Sequence, residues 1–187
     1  MNIDIEILYN VAREMLKLQK AYGREVLAGI YLCSDGVKIG KPHVLGTIGG
    51  SLSVLKDDDE YRSCFMVGTL HTHPTDHPPS VSDLQITLFN RHVISCVAFE
   101  DSGKSKLFCI RLKSESDREK LYNLLKEYTQ YVTDKLYKGE VEFVIGTVRE
   151  DGLEYFDLGV VVKSRDAWNW LKKKLSEYGI EYFEVER

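Results

Sequence analysis

Between Ser63 and Asp83 the chain changes character within a few residues. The apolar run SCFMVGTLH leads straight into THPTDHPPS, and together these stretches hold three of the chain's four prolines and three of its five histidines. Proline locks φ and lacks the N–H that a helix interior or a central strand needs, so Pro74, Pro78 and Pro79 end the strand and impose a stiff loop. Beyond the loop, Asp83, Leu84, Ile86, Leu88 and Phe89 predict a helix, with Ser80 or Ser82 as its cap. Any fold for this chain has to set a strand end, a proline-stiffened reversal and a helix start side by side.

That succession has chemical content. His71 and His73 lie two positions apart near a strand end, and strand side chains alternate, so both imidazoles project to one side and can reach one ion. Asp83, in the first turn of the helix, can be swung back toward them by the prolines. Two histidines and a carboxylate leave the fourth position of a tetrahedral ion open, which is the arrangement of a catalytic zinc and not of a structural one. Water in that position has its pKa lowered to about 7. Glu25 opens an apolar strand, where a carboxylate without a polar task is costly, and is the candidate general base. Ser80, three residues before Asp83, is the candidate donor to the oxyanion that forms when a carbonyl is attacked. Taken singly, these residues have ordinary readings: His-x-His is mostly structural or solvated, Ser80 is a natural cap, and Glu25 can be a solvated carboxylate beside Arg24. Their order along the chain is what favours a metal. His77 reads as substrate-facing or solvated, His92 as a cation favoured by a helix end, and His43 carries no pattern.

The remaining sequence predicts a helix over Ile3 to Tyr22 stopped at Gly23, a buried strand over Glu25 to Cys33, and strands over Val37 to Thr47 and Ser51 to Leu55. After a charged loop from Lys56 to Arg62 and the segment above come strands Val93 to Glu100 and Lys106 to Leu112, then a long amphipathic helix from Glu115 to Tyr137. Gly139 reads as a boundary. Residues 139–187 form a second pattern, strand Glu142 to Val148, strand Glu154 to Val162, helix Arg165 to Tyr178 and strand Ile180 to Val185, a small ββαβ unit. A unit of that size is marginal alone, so it is expected to dock on the main domain, residues 1–137, or on a second copy as a homodimer.

A formal charge of -4 and a pI near 5.8 lack the basic footprint of a nucleic-acid binder. No apolar stretch approaches the roughly 20 residues that span a bilayer, and the acidic residues in MNIDIEILYN, where a secretory signal is basic, predict a cytoplasmic protein. Cys33, Cys64, Cys96 and Cys109 lie far apart, without a CxxC pair and in apolar runs, and are expected as buried free thiols.

The residues GTLHTHP and PSVSD, preceded by a glutamate on an early strand, resemble the signature of the JAMM/MPN+ metalloprotease family: glutamate, then HxHP, then SxxD. The resemblance covers about residues 1–137, including the order of elements. It implies an α/β (α+β) fold of the MPN, cytidine-deaminase-like kind, a mixed β-sheet flanked by helices. It implies zinc held by His71, His73 and Asp83, water activated by Glu25 and a tetrahedral intermediate assisted by Ser80. It also implies a substrate in which a ubiquitin-like or sulfur-carrier modifier is joined through a peptide or isopeptide bond, as in the compact prokaryotic members. Five residues separate Pro74 from Ser80 where many members have six, and Gly29 falls four positions after Glu25 where three is common. The intact SxxD spacing favours Ser80 over Ser82. Two other readings stand beside the isopeptidase: a metal-free MPN-type scaffold, and a zinc hydrolase acting on another amide or on a phosphoester.

Overall fold

The computed structural model describes residues 2–45, 55, 59–150 and 153–187, with 143–150 and 153–161 described as backbone only. The elements follow in the order α1 (Ile5–Tyr22), β1 (Val26–Cys33), β2 (Gly36–Ile39), β3 (His43–Val44), β4 (Phe65–Thr72), α2 (Val81–Phe89), β5 (Ile94–Asp101), β6 (Lys104–Arg111), α3 (Glu115–Tyr137), β7 (Val141–Glu150), β8 (Leu153–Val162), α4 (Ser164–Tyr178) and β9 (Glu181–Glu186). The protein is thus mixed α and β. The expected strand at Ser51 to Leu55 lies outside the described residues except for Leu55, and the long strand expected from Val37 onward is the two short strands β2 and β3 on either side of Pro42.

Strands run β2-β1-β4-β5-β6-β9 across one sheet, with β3 also paired to β1. All neighbours are antiparallel except β4 and β5, which are parallel and therefore need a crossover. That crossover is α2. Between β5 and β6 the turn is tight, with Ser102 and Gly103 both at positive φ, 52° and 78°, the geometry a two-residue hairpin loop requires.

Both sheet faces are buried, which explains the nearly continuous apolar runs of β1, β5 and β6. Ile94, Cys96, Ala98, Leu107 and Cys109 face α1 and pack with its Leu8, Ala12, Met15 and Leu16. The alternate residues Val97, Phe99, Phe108 and Ile110 face the other way and pack with Leu84 of α2, Leu121 and Leu124 of α3, and Trp168 and Leu171 of α4. Asp4 caps α1 by accepting from the Glu6 and Ile7 amides at 2.9 and 3.2 Å, and Gly23 ends it at φ 65°.

The ββαβ succession after Gly139 is present, but its three strands do not share one sheet. β7 and β8 form a separate two-stranded sheet, whereas β9 pairs with β6 at the edge of the main sheet and α4 joins the second core. The Arg187 guanidinium clasps the Glu6 carboxylate with two 2.7 Å bonds and ties this last strand to α1. Among the described residues no helix is long and apolar enough to cross a membrane.

The cysteines correct the expectation of free thiols. Cys33 is joined to Cys64 and Cys96 to Cys109. Strand register is the reason: Cys96 and Cys109 are direct cross-strand partners in the β5–β6 ladder, a proximity that spacing along the chain does not reveal. His92 also departs from expectation. It is buried with Nδ1 lacking a hydrogen-bond partner among the described residues. Burial, reinforced by the Arg118 charge, lowers its pKa from 6.5 to about 4, so it is neutral at pH 7 instead of a helix-end cation.

Two outcomes follow from this packing. A Cβ placed on Gly68 would stand 2.2 Å from the Ile94 carbonyl oxygen across the parallel pair, so Gly68→Ala should cost about 2 kcal/mol or more in denaturant unfolding, and a wild-type midpoint would sink this account of the β4–β5 contact. For His92, the unfolded chain binds the extra proton between the unfolded value of 6.5 and the folded value of about 4, so stability falls as pH drops through that window. The advantage of wild type over His92→Gln should therefore shrink by about 3 kcal/mol from pH 7 to pH 4; parallel stability curves for the two proteins would show that His92 titrates normally.

Candidate metal centre

The three expected metal donors converge at the carboxyl end of β4. In β4 the even-numbered Leu70 faces α1, so the odd-numbered His71 faces the α2 side, and His73, one residue past the strand end, continues on that side. Asp83 is the third residue of α2 and is turned back to meet them. His71 Nε2 and His73 Nε2 stand 2.9 Å apart. Asp83 Oδ1 is 3.3 Å from His71 Nε2 and Oδ2 is 3.3 Å from His73 Nε2. Donors about 2.1 Å from a common tetrahedral centre are about 3.4 Å from each other, so the spacing suits one small ion. Among the described residues this is the one group of three or more His, Cys, Asp or Glu side chains able to hold a metal.

Hydrogen bonding sharpens the case. His73 Nδ1 is 2.8 Å from the His77 carbonyl oxygen, and a carbonyl only accepts, so Nδ1 carries the proton. In the neutral ring Nε2 is then a bare lone pair, pointing at an Asp83 oxygen and at the other imidazole. Three electron-rich atoms face one another with at most a single shared proton from His71 to separate them. A cation relieves that repulsion, and the locked His73 tautomer is what ligation through Nε2 requires. Burial by itself would raise the Asp83 carboxyl, but attraction to imidazolium at His71 and His73 outweighs it and holds the group well below the usual carboxylate range; with the rings neutral, a bound cation would supply that attraction.

Local structure fixes the carboxylate. The Ser80 amide donates to Asp83 Oδ2 at 2.7 Å, and the Ser80 hydroxyl accepts from the Asp83 amide at 3.1 Å, a reciprocal capping box at the start of α2. Ser80, not Ser82, is therefore the cap. Its oxygen is used as an acceptor while its own proton stays available to a ligand, and the residue is exposed. Glu25 directly precedes β1 and is buried. Leu27 pairs with His71, so Glu25, two residues before Leu27, and His73, two residues after His71, lie at the same end of the β1–β4 pair. β3 closes the far side of this strand end, where the Leu45 amide donates to the Glu25 carbonyl at 2.8 Å.

Several residues that shape the site have no signal in the sequence. His77, expected to be solvated or to face substrate, is buried, and its carbonyl orients His73. Gln19 of α1 donates to the His73 carbonyl at 3.0 Å, and Tyr128 of α3 donates to the Pro79 carbonyl at 3.0 Å. Burial, together with the Asp83 charge, pushes the Tyr128 phenol above its ordinary range, so it remains a donor. The Thr72 hydroxyl oxygen accepts from the Val26 amide at 2.9 Å and locks the ends of β1 and β4 together. These partners are distant in sequence, and only the folded chain brings them to the loop.

Comparison with known protein families and with curated proteins finds no match to this chain. The site has to be read from its own chemistry.

Wild-type protein incubated with zinc and desalted should retain the metal, whereas His71→Ala and Asp83→Ala should lose it to a chelator at concentrations wild type withstands. Asp83→Ala also removes half of the capping box, so its stability should fall by about 1 kcal/mol. Equal zinc retention in all three proteins, measured by elemental analysis, would exclude these donors as ligands.

Proposed function

We propose that this protein is a zinc-dependent hydrolase of the JAMM/MPN+ type that cleaves peptide or isopeptide bonds of ubiquitin-like or sulfur-carrier modifiers. The observation that carries the hydrolase part is the convergence of two imidazoles and one carboxylate at the end of β4, with the buried Glu25 just before β1 at the same end of the strand pair. A purely structural metal site is closed by four protein ligands and has no use for such a base. Among the described residues the donor set here stops at three.

His71, His73 and Asp83 would hold zinc, which when bound would supply Lewis acidity and lower the pKa of water toward 7. The chain's own groups then divide the remaining work. Glu25 takes a proton from the water that adds to the carbonyl carbon, and returns it to the amine nitrogen as the C–N bond breaks. Ser80 offers its hydroxyl proton to the carbonyl oxygen as that oxygen gains charge. Its backbone amide is already committed to Asp83, so the donor that Ser80 can offer is its hydroxyl. The choice of a modifier protein as substrate rests on the likeness of GTLHTHP and PSVSD to the family signature, and the MPN fold assignment rests on the same likeness with the mixed, helix-flanked sheet in support.

Glu25→Gln should keep its zinc and lose turnover by a factor of about 10²–10⁴, the usual worth of a positioned general base. The assay is cleavage of linear and lysine-linked modifier fusions with and without a chelator. Full activity in Glu25→Gln would remove Glu25 from the chemistry. Chelator-sensitive hydrolysis of simple amides or phosphoesters with modifier fusions left intact would keep the metal and overturn the substrate.

A further inference from the structure

The loop that joins the histidines to Asp83 is gripped by a part of the chain that supplies no metal donor. Asp76 lies in this loop, and its Oδ1 accepts a 2.7 Å hydrogen bond from Trp168 Nε1 of α4. The Trp168 ring is buried against Phe99 and Phe108, with centroids at 5.2 and 4.9 Å, so the direction of its N–H is set by core packing and not by the loop. From β7, the Glu142 carboxylate stands 3.8 Å from His77 Nε2, an atom with no hydrogen-bond partner of its own among the described residues. Two elements of the C-terminal segment therefore meet the loop at consecutive residues, Asp76 and His77. His77 is the residue whose carbonyl holds His73 Nδ1.

The geometry points to Trp168 as a positioning residue of the metal centre: by holding Asp76 it fixes the loop whose His77 carbonyl aims His73 at the ion. The inference rests on the metal reading above. It makes residues 139–187 a working part of the site instead of an appended unit. The chain of contacts is short. If Asp76 is released, the loop is still tethered at Pro79 by Tyr128 and at His73 by Gln19. Between those tethers the described contacts that remain are the loop's own, Thr75 Oγ1 with His77 Nδ1 at 2.6 Å and the His77 amide donating to the Thr75 carbonyl at 2.8 Å, together with the exposed Glu142 carboxylate 3.8 Å from His77. A histidine ligand whose second nitrogen loses a fixed acceptor is poorly oriented, and outer partners of this kind are commonly worth about 10–100-fold in metal affinity.

The test uses the full chain. Trp168→Phe keeps an aromatic ring against Phe99 and Phe108 and removes the N–H. Asp76→Ala removes the acceptor, and Asp76→Asn retains an acceptor oxygen. Zinc affinity is read by competition with a chromophoric chelator, and amide exchange of residues 74–80 is read in the zinc-stripped proteins. Trp168→Phe and Asp76→Ala should each weaken zinc binding by about tenfold and speed exchange around His77. Their combination should be no worse than either alone, and Asp76→Asn should stay close to wild type. Unchanged zinc affinity in Trp168→Phe and Asp76→Ala, whatever happens to their melting temperatures, would reduce Trp168 to a packing residue and overturn the inference while leaving the metal site standing. A wild-type chain that takes up no zinc, or a His71→Ala variant that binds as tightly as wild type, would overturn the metal reading and this inference with it.

Discussion

The parallel pairing of β4 with β5 is the constraint on which the site depends. Two parallel neighbours cannot be joined by a hairpin, so the chain leaving β4 has to travel back over one face of the sheet before β5 begins. α2 makes that journey, and its first turn is consequently delivered to the carboxyl end of β4, where His71 and His73 stand. Open sheets with helical crossovers tend to place ligands beyond strand carboxyl ends for this reason. Gly68 permits the close approach of the two strands, and the antiparallel neighbour β1 brings Glu25 to the same end from the other side. Donors as much as twelve residues apart thus meet because of strand direction.

Much of this is legible in the order of residues along the chain. Apolar periodicity, glycine stops and proline breaks place α1, β1, β4, α2, β5, β6 and α3 within a few residues, and the His-x-His, Ser-x-x-Asp succession names the three residues that converge. Those signals are local, and local physics decides them. What has no such signal is long-range. The partnership of Cys96 with Cys109 is a matter of ladder register, and the neutral state of His92 is a matter of what surrounds it once folded. The ββαβ pattern after Gly139 can be read from periodicity, but not the extension of the main sheet by its last strand, because edge pairing leaves no periodic trace in either strand.

The two disulfides and the Arg187–Glu6 pair have a common effect on this architecture. Cys33–Cys64 staples the far end of β1 to the segment that enters β4, Cys96–Cys109 crosses the central hairpin, and Arg187 fastens the last strand to the first helix. All three act on the frame that carries the candidate donors His71, His73 and Asp83. The ligand loop, by contrast, has no covalent tie and is secured by hydrogen bonds from α1, α3 and α4.

The capping box at Ser80 and Asp83 gives that loop an uneven tolerance for change in length. Reciprocal bonding between the two residues works only at a separation of three, because it needs the first turn of a helix between them. Everything from Pro74 to Pro79 merely has to span a gap. Residues can therefore be gained or lost on the proline side of Ser80 without tilting the carboxylate, whereas a single insertion between Ser80 and Asp83 would rotate it by about 100° around the helix axis, away from both imidazoles. Divergent versions of this site should vary in the reach of the loop and hold constant the spacing from its capping serine to the aspartate.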